Sequence, residues 1–344
     1  MSPTREQHCL SVAVLLAALA AVAVATPSCL DTSNHYYDER EYTCLGFTSA
    51  SHFQEHIPRD LSYPRLRFVL KECLVDYIPG SAFTSVPALS LDLDNCKAKI
   101  FSKPGANPFD GLEETVSRIG FMHNSTLPES WQLLKNLNRL KEVAFYMMAG
   151  LDLTRDFNNL PQSLRRVLIF RSSIARIDDN WLSGLSNLEE VWIQESDLKH
   201  FQRSMMPRPA PKLWRLHLQG CGLTSLPRDF SDDLPAMRHL SIEENLITTF
   251  DELSLEPLRR ERTYVGLYGN PLHCDCRIKF LLSYSDNWRF PVCATPEFLK
   301  GRRLNDLSED LLNCSSPATT TTTTTTTTPA AAPGGFFPFY SDDV

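Results

Sequence analysis

The chain has 344 residues, with 34 Lys and Arg against 41 Asp and Glu and a net charge of −7. Hydrophobic residues make up 42% and charged residues 22%, with 10 Cys, a composition that is neither that of a disordered chain nor that of a small disulfide-dense scaffold. No block of basic residues stands out, which argues against a nucleic-acid binder, since phosphates call for a stripe of positive charge.

Residues 1–25 read as a signal peptide. Arg5 gives a weakly basic start, and the apolar run from Cys9 closes on Ala23-Val24-Ala25, small residues at the spacing signal peptidase prefers. The run is short for a membrane anchor, and the rest of the chain has no apolar stretch near the ~20 residues that spanning needs. Removing the segment takes away Arg5 and Glu6, so the charge stays at −7, and it removes Cys9. The C-terminal end, Gly335 to Val344, is too short and too acidic for a lipid-anchor signal. The expectation is a secreted, extracellular protein without membrane insertion, in an oxidising compartment.

Residues 26–64 are taken as an N-terminal cap. From residue 65 to 270 an internal repeat runs through the chain, about nine units long. Leu188 to Leu198 and Leu213 to Leu223 both fit L-x-x-L-x-L-x-x-(N/C/S)-x-L. If the small polar position is numbered 9, it falls at Cys73, Cys96, Asn124, Met148, Ser172, Ser196, Cys221, Asn245 and Asn270. The spacing is 23 to 25 residues except for one interval of 28, which carries the Pro- and Gly-bearing stretch Ser102 to Pro108 and reads as a surface loop. Two units are weak: Met148 is not small and polar, and Thr126 stands at position 11 of the unit before it. Self-similarity at such a period is the mark of a solenoid, because one unit cannot bury its apolar side alone. Positions 4 and 6 alternate with period two, so this stretch is a short strand with those side chains inward; successive strands pair in parallel ~4.8 Å apart.

After the repeats come Asn270-Pro271-Leu272-His273-Cys274-Asp275-Cys276, then Trp288, Cys293 and Cys314. Together with the repeats, this segment resembles extracellular leucine-rich repeat proteins over residues 44 to 314. It is similar to the C-terminal cysteine cap of Slit and Toll-type ectodomains, and more loosely the whole chain resembles arthropod secreted repeat proteins such as the non-catalytic subunit of oplophorus-luciferin 2-monooxygenase. The resemblance implies an α/β fold: a solenoid with a curved parallel sheet on its concave face, short helical or irregular segments on its convex face, and disulfide caps. It also implies the pairs Cys274–Cys293 and Cys276–Cys314 within a cap spanning 271–314. Spacing alone allows three connectivities, and a zinc site from these cysteines is disfavoured by the C-x-C spacing. Cys29 with Cys44 would close the first end, which lacks the four-cysteine pattern of the resembling family. Cys73, Cys96 and Cys221 all sit at position 9 and are read as buried thiols, although Cys73 and Cys96, on neighbouring units, are near enough for a bridge.

The segment 315–344 contains an uninterrupted Thr run from Thr319 to Thr328 and reads as a disordered, O-glycosylated tail. Of two N-glycosylation sequons, Asn313 is the expected acceptor; Asn124, at position 9, is expected to point into the turn with no room for a glycan.

Enzyme signatures are lacking: there is no G-x-S-x-G, no phosphate-binding Gly loop and no H-E-x-x-H, and no cofactor is implied. His217, His239 and Glu243 fall on adjacent strands, with the last two about 13 Å apart, and read as solvated polar residues. Positions 3, 5 and 7 face outward. Among them Met122, Tyr146, Leu168, Phe170 and Trp192 fall on four consecutive strands, with Arg118, Glu142, Arg166 and Glu190 beside them at position 3. A contiguous apolar patch rimmed by charge is how a protein-binding site is built. The expected function is therefore recognition of a protein partner through the concave face. A non-catalytic subunit that stabilises a secreted enzyme, and a glycosylated matrix component, are the alternatives.

Overall fold

The computed structural model describes residues 26–34, 39–61, 63, 65–284, 288, 291–312 and 314. The apolar leader, Asn313 and the Thr-rich tail lie outside the described residues. Eleven strands form one sheet in chain order: β1 (Ser28–Asp31), β2 (Arg40–Leu45), β3 (Leu66–Lys71), β4 (Ala88–Asp94), β5 (Arg118–Met122), β6 (Glu142–Tyr146), β7 (Arg166–Phe170), β8 (Glu190–Gln194), β9 (Arg215–Gln219), β10 (His239–Ser241) and β11 (Tyr264–Gly266). Only β1 is antiparallel to its neighbour; every later strand pairs in parallel with the one before it. The parallel register already begins at β2. This is a leucine-rich-repeat solenoid.

The inward side chains account for the stacking. At positions 4 and 6, Ile119, Phe121, Val143, Phe145, Val167, Ile169, Val191 and Ile193 are buried, so each strand contributes two apolar side chains to one continuous core. The opposite wall is made of single turns of 3-10 helix, such as Trp131–Leu134 and Arg155–Asn159. Ser130 and Thr154 cap these turns by accepting from the amides of Gln132 and Asp156. Their large rings pack in relay, with Trp131 4.7 Å from Phe157 and Phe157 5.3 Å from Trp181.

After each strand the chain turns inward through a left-handed residue. Glu72, Asn95, Met147, Arg171, Glu195 and Glu244 all have φ between 47 and 55°, a conformation that costs an ordinary residue on the order of 1 kcal/mol. One ladder hydrogen bond offsets it: the amide of each of these residues donates to the carbonyl at position 7 of the next unit, as Glu195 does to Gln219 at 2.9 Å.

Position 9 closes the turn. The Ser196 hydroxyl accepts from the Ser172 amide, Ser172 accepts from Met148, and Asn245 accepts from both Cys221 and Leu223. Asn245 also donates to the carbonyls of Leu218 and Ile242. Each unit thus satisfies buried backbone of the unit before it.

One unit departs from the expected numbering. Asn124 is not its position 9. Ser125 takes that place: it is buried, accepts from the Cys96 amide at 2.9 Å and donates to Leu93 at 2.9 Å. The turn here has two left-handed residues in place of one, His123 at 49° and Asn124 at 59°. The extra residue leaves Asn124 exposed, with its side chain accepting from the Ala149 amide. The steric reason for leaving this sequon unmodified therefore does not hold.

The cysteines also need one correction. Cys73 and Cys96 are not free thiols; they are joined, with Cα atoms 4.4 Å apart. Cys29 is bonded to Cys44 across β1 and β2, Cys274 to Cys293, and Cys276 to Cys314. Cys221 is the free cysteine among the described residues. It is fully buried, with its thiol 3.0 Å from the Ile193 carbonyl, and burial pushes its pKa up to about 12, so it stays protonated and unreactive at neutral pH.

Candidate functional site: the sheet face

Two ladders of side chains run across the outward face, and they overlap on β6 and β7. The first is ionic. Arg67 lies 2.9 Å from Glu41 and 2.7 Å from Asp92; Arg118 reaches Asp92 at 2.5 Å and Glu142 at 2.8 Å; Arg166 reaches Glu142 at 2.7 Å. Asp92 is fully buried between its two guanidinium partners. Gly120, beside it on β5, makes this possible: a Cβ there would run into the Asp92 carboxylate. Burial works against the charge on Arg118, but Asp92 and Glu142 outweigh it and hold its pKa above the usual value.

The second ladder is aromatic. Tyr146 stacks on Phe170 at 5.2 Å, Phe170 lies 6.2 Å from Trp192, and Trp192 stacks on His217 at 4.5 Å with planes 4° apart. The series continues through His217 to His239 at 6.3 Å and from His239 to Tyr264 at 4.7 Å. It runs diagonally, starting at position 7 on β6 and β7, crossing to position 5 on β8 and β9, and ending at position 3 on β10 and β11. Diagonal neighbours on a sheet are ~7–8 Å apart, within reach of large rings.

The residues expected to form the site fall in this ladder or beside it. Met122 is the cross-strand partner of Tyr146, and Leu168 that of Trp192; all five are half-buried on the outward face. The rings cover one another's faces and leave edges and upper surfaces open. Trp192 is fixed further by its indole N–H, which donates to Glu190 at 3.1 Å, and by the Arg215 guanidinium 5.2 Å from its ring. Glu190 in turn pairs with Arg215 at 3.4 Å.

His217, His239 and Tyr264 belong to the same surface, although in sequence the two histidines read as solvated polar positions. Burial, together with the neighbouring Arg215 and His217, lowers the pKa of His239 and keeps its imidazole neutral at pH 7. Tyr264 donates to Glu243 at 2.7 Å, and burial plus that carboxylate push its hydroxyl up to about 12. Three buried polar atoms here have no hydrogen-bond partner among the described residues: Arg215 Nε, His217 Nδ1 and Ser241 Oγ. His217 and Ser241 are cross-strand partners, so the orphaned groups are gathered on β9 and β10, next to Trp192. Beside the ladder, a groove of about 240 Å³ is lined by Tyr146, Met147, Phe170, Arg171, Gln194 and Glu195.

Comparison with known proteins agrees with this architecture. No family model matches the chain. It is 24% identical over 167 residues to Toll-like receptor 9 of Mus musculus, covering 46% of this chain and 16% of the receptor. It is 25% identical over 237 residues to the CD180 antigen of Mus musculus, covering 59% of this chain and 35% of that protein. The chain therefore spans well under half the length of these relatives. Among solved structures, human 5T4 (Wnt-activated inhibitory factor 1, trophoblast glycoprotein) superimposes with a TM-score of 0.51 at 18% identity, covering 80% of this chain and 94% of that one. The protein is a leucine-rich-repeat protein with disulfide bonds. These comparisons do not carry the looser likeness to a luciferase subunit.

Proposed function

We propose that this is a secreted recognition protein that binds a protein partner through the sheet face, centred on Trp192 and Phe170 with Met122, Tyr146 and Leu168 around them. The observation that carries the reading is the diagonal aromatic ladder, rimmed beside Trp192 by the Glu190–Arg215 ion pair. Aromatic anchors at the middle of a polar-rimmed patch are the usual energetic centres of an interface. Leucine-rich-repeat proteins related to this chain commonly mediate protein–protein interactions. Secretion belongs to the proposal: it rests on the apolar leader and on four disulfides, which persist in oxidising compartments. No helix among the described residues is long and apolar enough to cross a membrane. Asn313 is the proposed glycan acceptor, and no catalytic activity is assigned.

Site-directed photo-crosslinking in the native extracellular fluid tests the reading. A photoreactive residue replacing Gln194, on the sheet face, should give a discrete adduct that disappears in a Trp192→Ala background. The same residue replacing Lys135, on the convex side, should give none. Equal adducts from both positions, or a Gln194 adduct indifferent to Trp192, would remove the sheet face as the site.

A further inference from the structure

We propose that the N-terminal end of the solenoid carries a divalent transition-metal site, formed by His52, Glu55 and His56 and suited to Zn²⁺. These residues lie on the one-turn helix His52–His56, between β2 and β3. Phe53 and Ile57 are both 3% exposed; four residues apart, they fix which side of the turn faces the core. His52 and His56 are also four apart, one position back, so both imidazoles emerge on the flank beside the buried side, with Glu55 next to them.

The three ligand atoms all lie within 4.8 Å of one another. Donors around a tetrahedral zinc, with bonds of ~2.0–2.2 Å, are about 3.3–3.5 Å apart, so the site needs a modest closure. The carboxylate has room to make it: Glu55 is exposed and makes no ion pair among the described residues. The imidazoles are already held. Both rings pack on the buried Phe47, with centroids 5.9 and 6.1 Å away, and they meet each other at 5.3 Å.

The donor set selects the ion. Two imidazoles and one carboxylate suit zinc and its transition-metal neighbours and are a poor match for calcium or magnesium, which take oxygen ligands. Three protein ligands leave a fourth position for water or for a group from another molecule. One local bond opposes binding: the Thr48 amide donates to His52 Nδ1 at 3.2 Å. Zinc on Nε2 places the ring proton on Nδ1 and gives up that bond, so affinity should fall short of a closed structural site.

Isothermal titration of the full chain, without a purification tag, with Zn²⁺ tests the proposal. One equivalent should bind and Ca²⁺ should not compete. His52→Ala and His56→Ala should each weaken binding at least about tenfold. In the unaltered protein, the imidazole NMR signals of His52 and His56 should shift with added zinc, a readout that does not depend on either variant folding. No zinc binding, or binding that leaves those signals and both variants unaffected, overturns the site.

Discussion

Along one sheet, strands β2 to β7 carry alternating charges and strands β6 to β11 carry stacked rings, and the two runs differ in what they leave for another molecule. In the ionic run the central charges already face opposite charges. Arg67 and Arg118 share Asp92, and Arg118 and Arg166 share Glu142. A partner approaching here would have to displace bonds that hold neighbouring repeats in register. In the aromatic run each inner ring lies between two neighbours, as Phe170 does between Tyr146 and Trp192, and the half-buried rings are not tied up in ion pairs of their own among the described residues. The same strand geometry thus supports an ion-paired region and an aromatic one, and the aromatic one is the surface proposed for binding.

The largest expected effect breaks the ionic run. Asp92→Ala leaves two guanidiniums facing each other across a buried gap. Removing one partner of a buried pair costs about 3–5 kcal/mol, and the lower end applies because the Arg67 side chain keeps 36% exposure. Arg166→Ala, at the open end of the run with 44% exposure, should cost only about 0–1 kcal/mol. Urea unfolding of the two variants measures this; equal costs would mean that the ladder does not stabilise through its buried centre.

A smaller effect marks the aromatic half. The Cys221 thiol is raised from 9.0 to about 12 and the Tyr264 hydroxyl from 10.0 to about 12 by the fold. In both cases the unfolded chain loses its proton first. Their contribution is therefore intact below pH 9 and is lost as pH rises from 9 toward 12, at no more than about 1.4 kcal/mol per pH unit for each group. In Cys221→Ala the stability curve between pH 9 and 10 should flatten; an unchanged slope would mean that the thiol is not held protonated by burial.

The repeat architecture was legible because it rests on simple periodicity. Val167, Ile169, Val191 and Ile193 announce the strand faces by alternation alone, and the C-x-C segment at Cys274 announces the cap. The one-residue insertion at His123-Asn124 was hidden because Asn is a good ladder residue and also tolerates a left-handed turn. The signal was present in Thr126, which fits position 11 poorly, whereas numbering from Ser125 puts Leu127 there. The Cys73–Cys96 bridge was undetermined because a small thiol and a disulfide both suit position 9. Half of the aromatic ladder was missed for a geometric reason. Columns of equal position show Tyr146 with Phe170 and Trp192 with His217, but the stack shifts column every two strands, and histidine reads as polar until its neighbours are known. The His52, Glu55 and His56 cluster emerges only once the short helix is placed.

The central claim, that Trp192 belongs to an outward binding face and Val191 to the core, is tested most directly by measuring melting temperature and partner affinity for two variants at adjacent residues. Trp192→Ala should weaken partner binding by about thirtyfold, equivalent to ~2 kcal/mol, and cost only about 1 kcal/mol of stability through lost stacking. Val191→Asp, which buries a charge with no partner, should collapse the fold. A Trp192→Ala protein that unfolds while its folded fraction binds with full affinity would contradict the account.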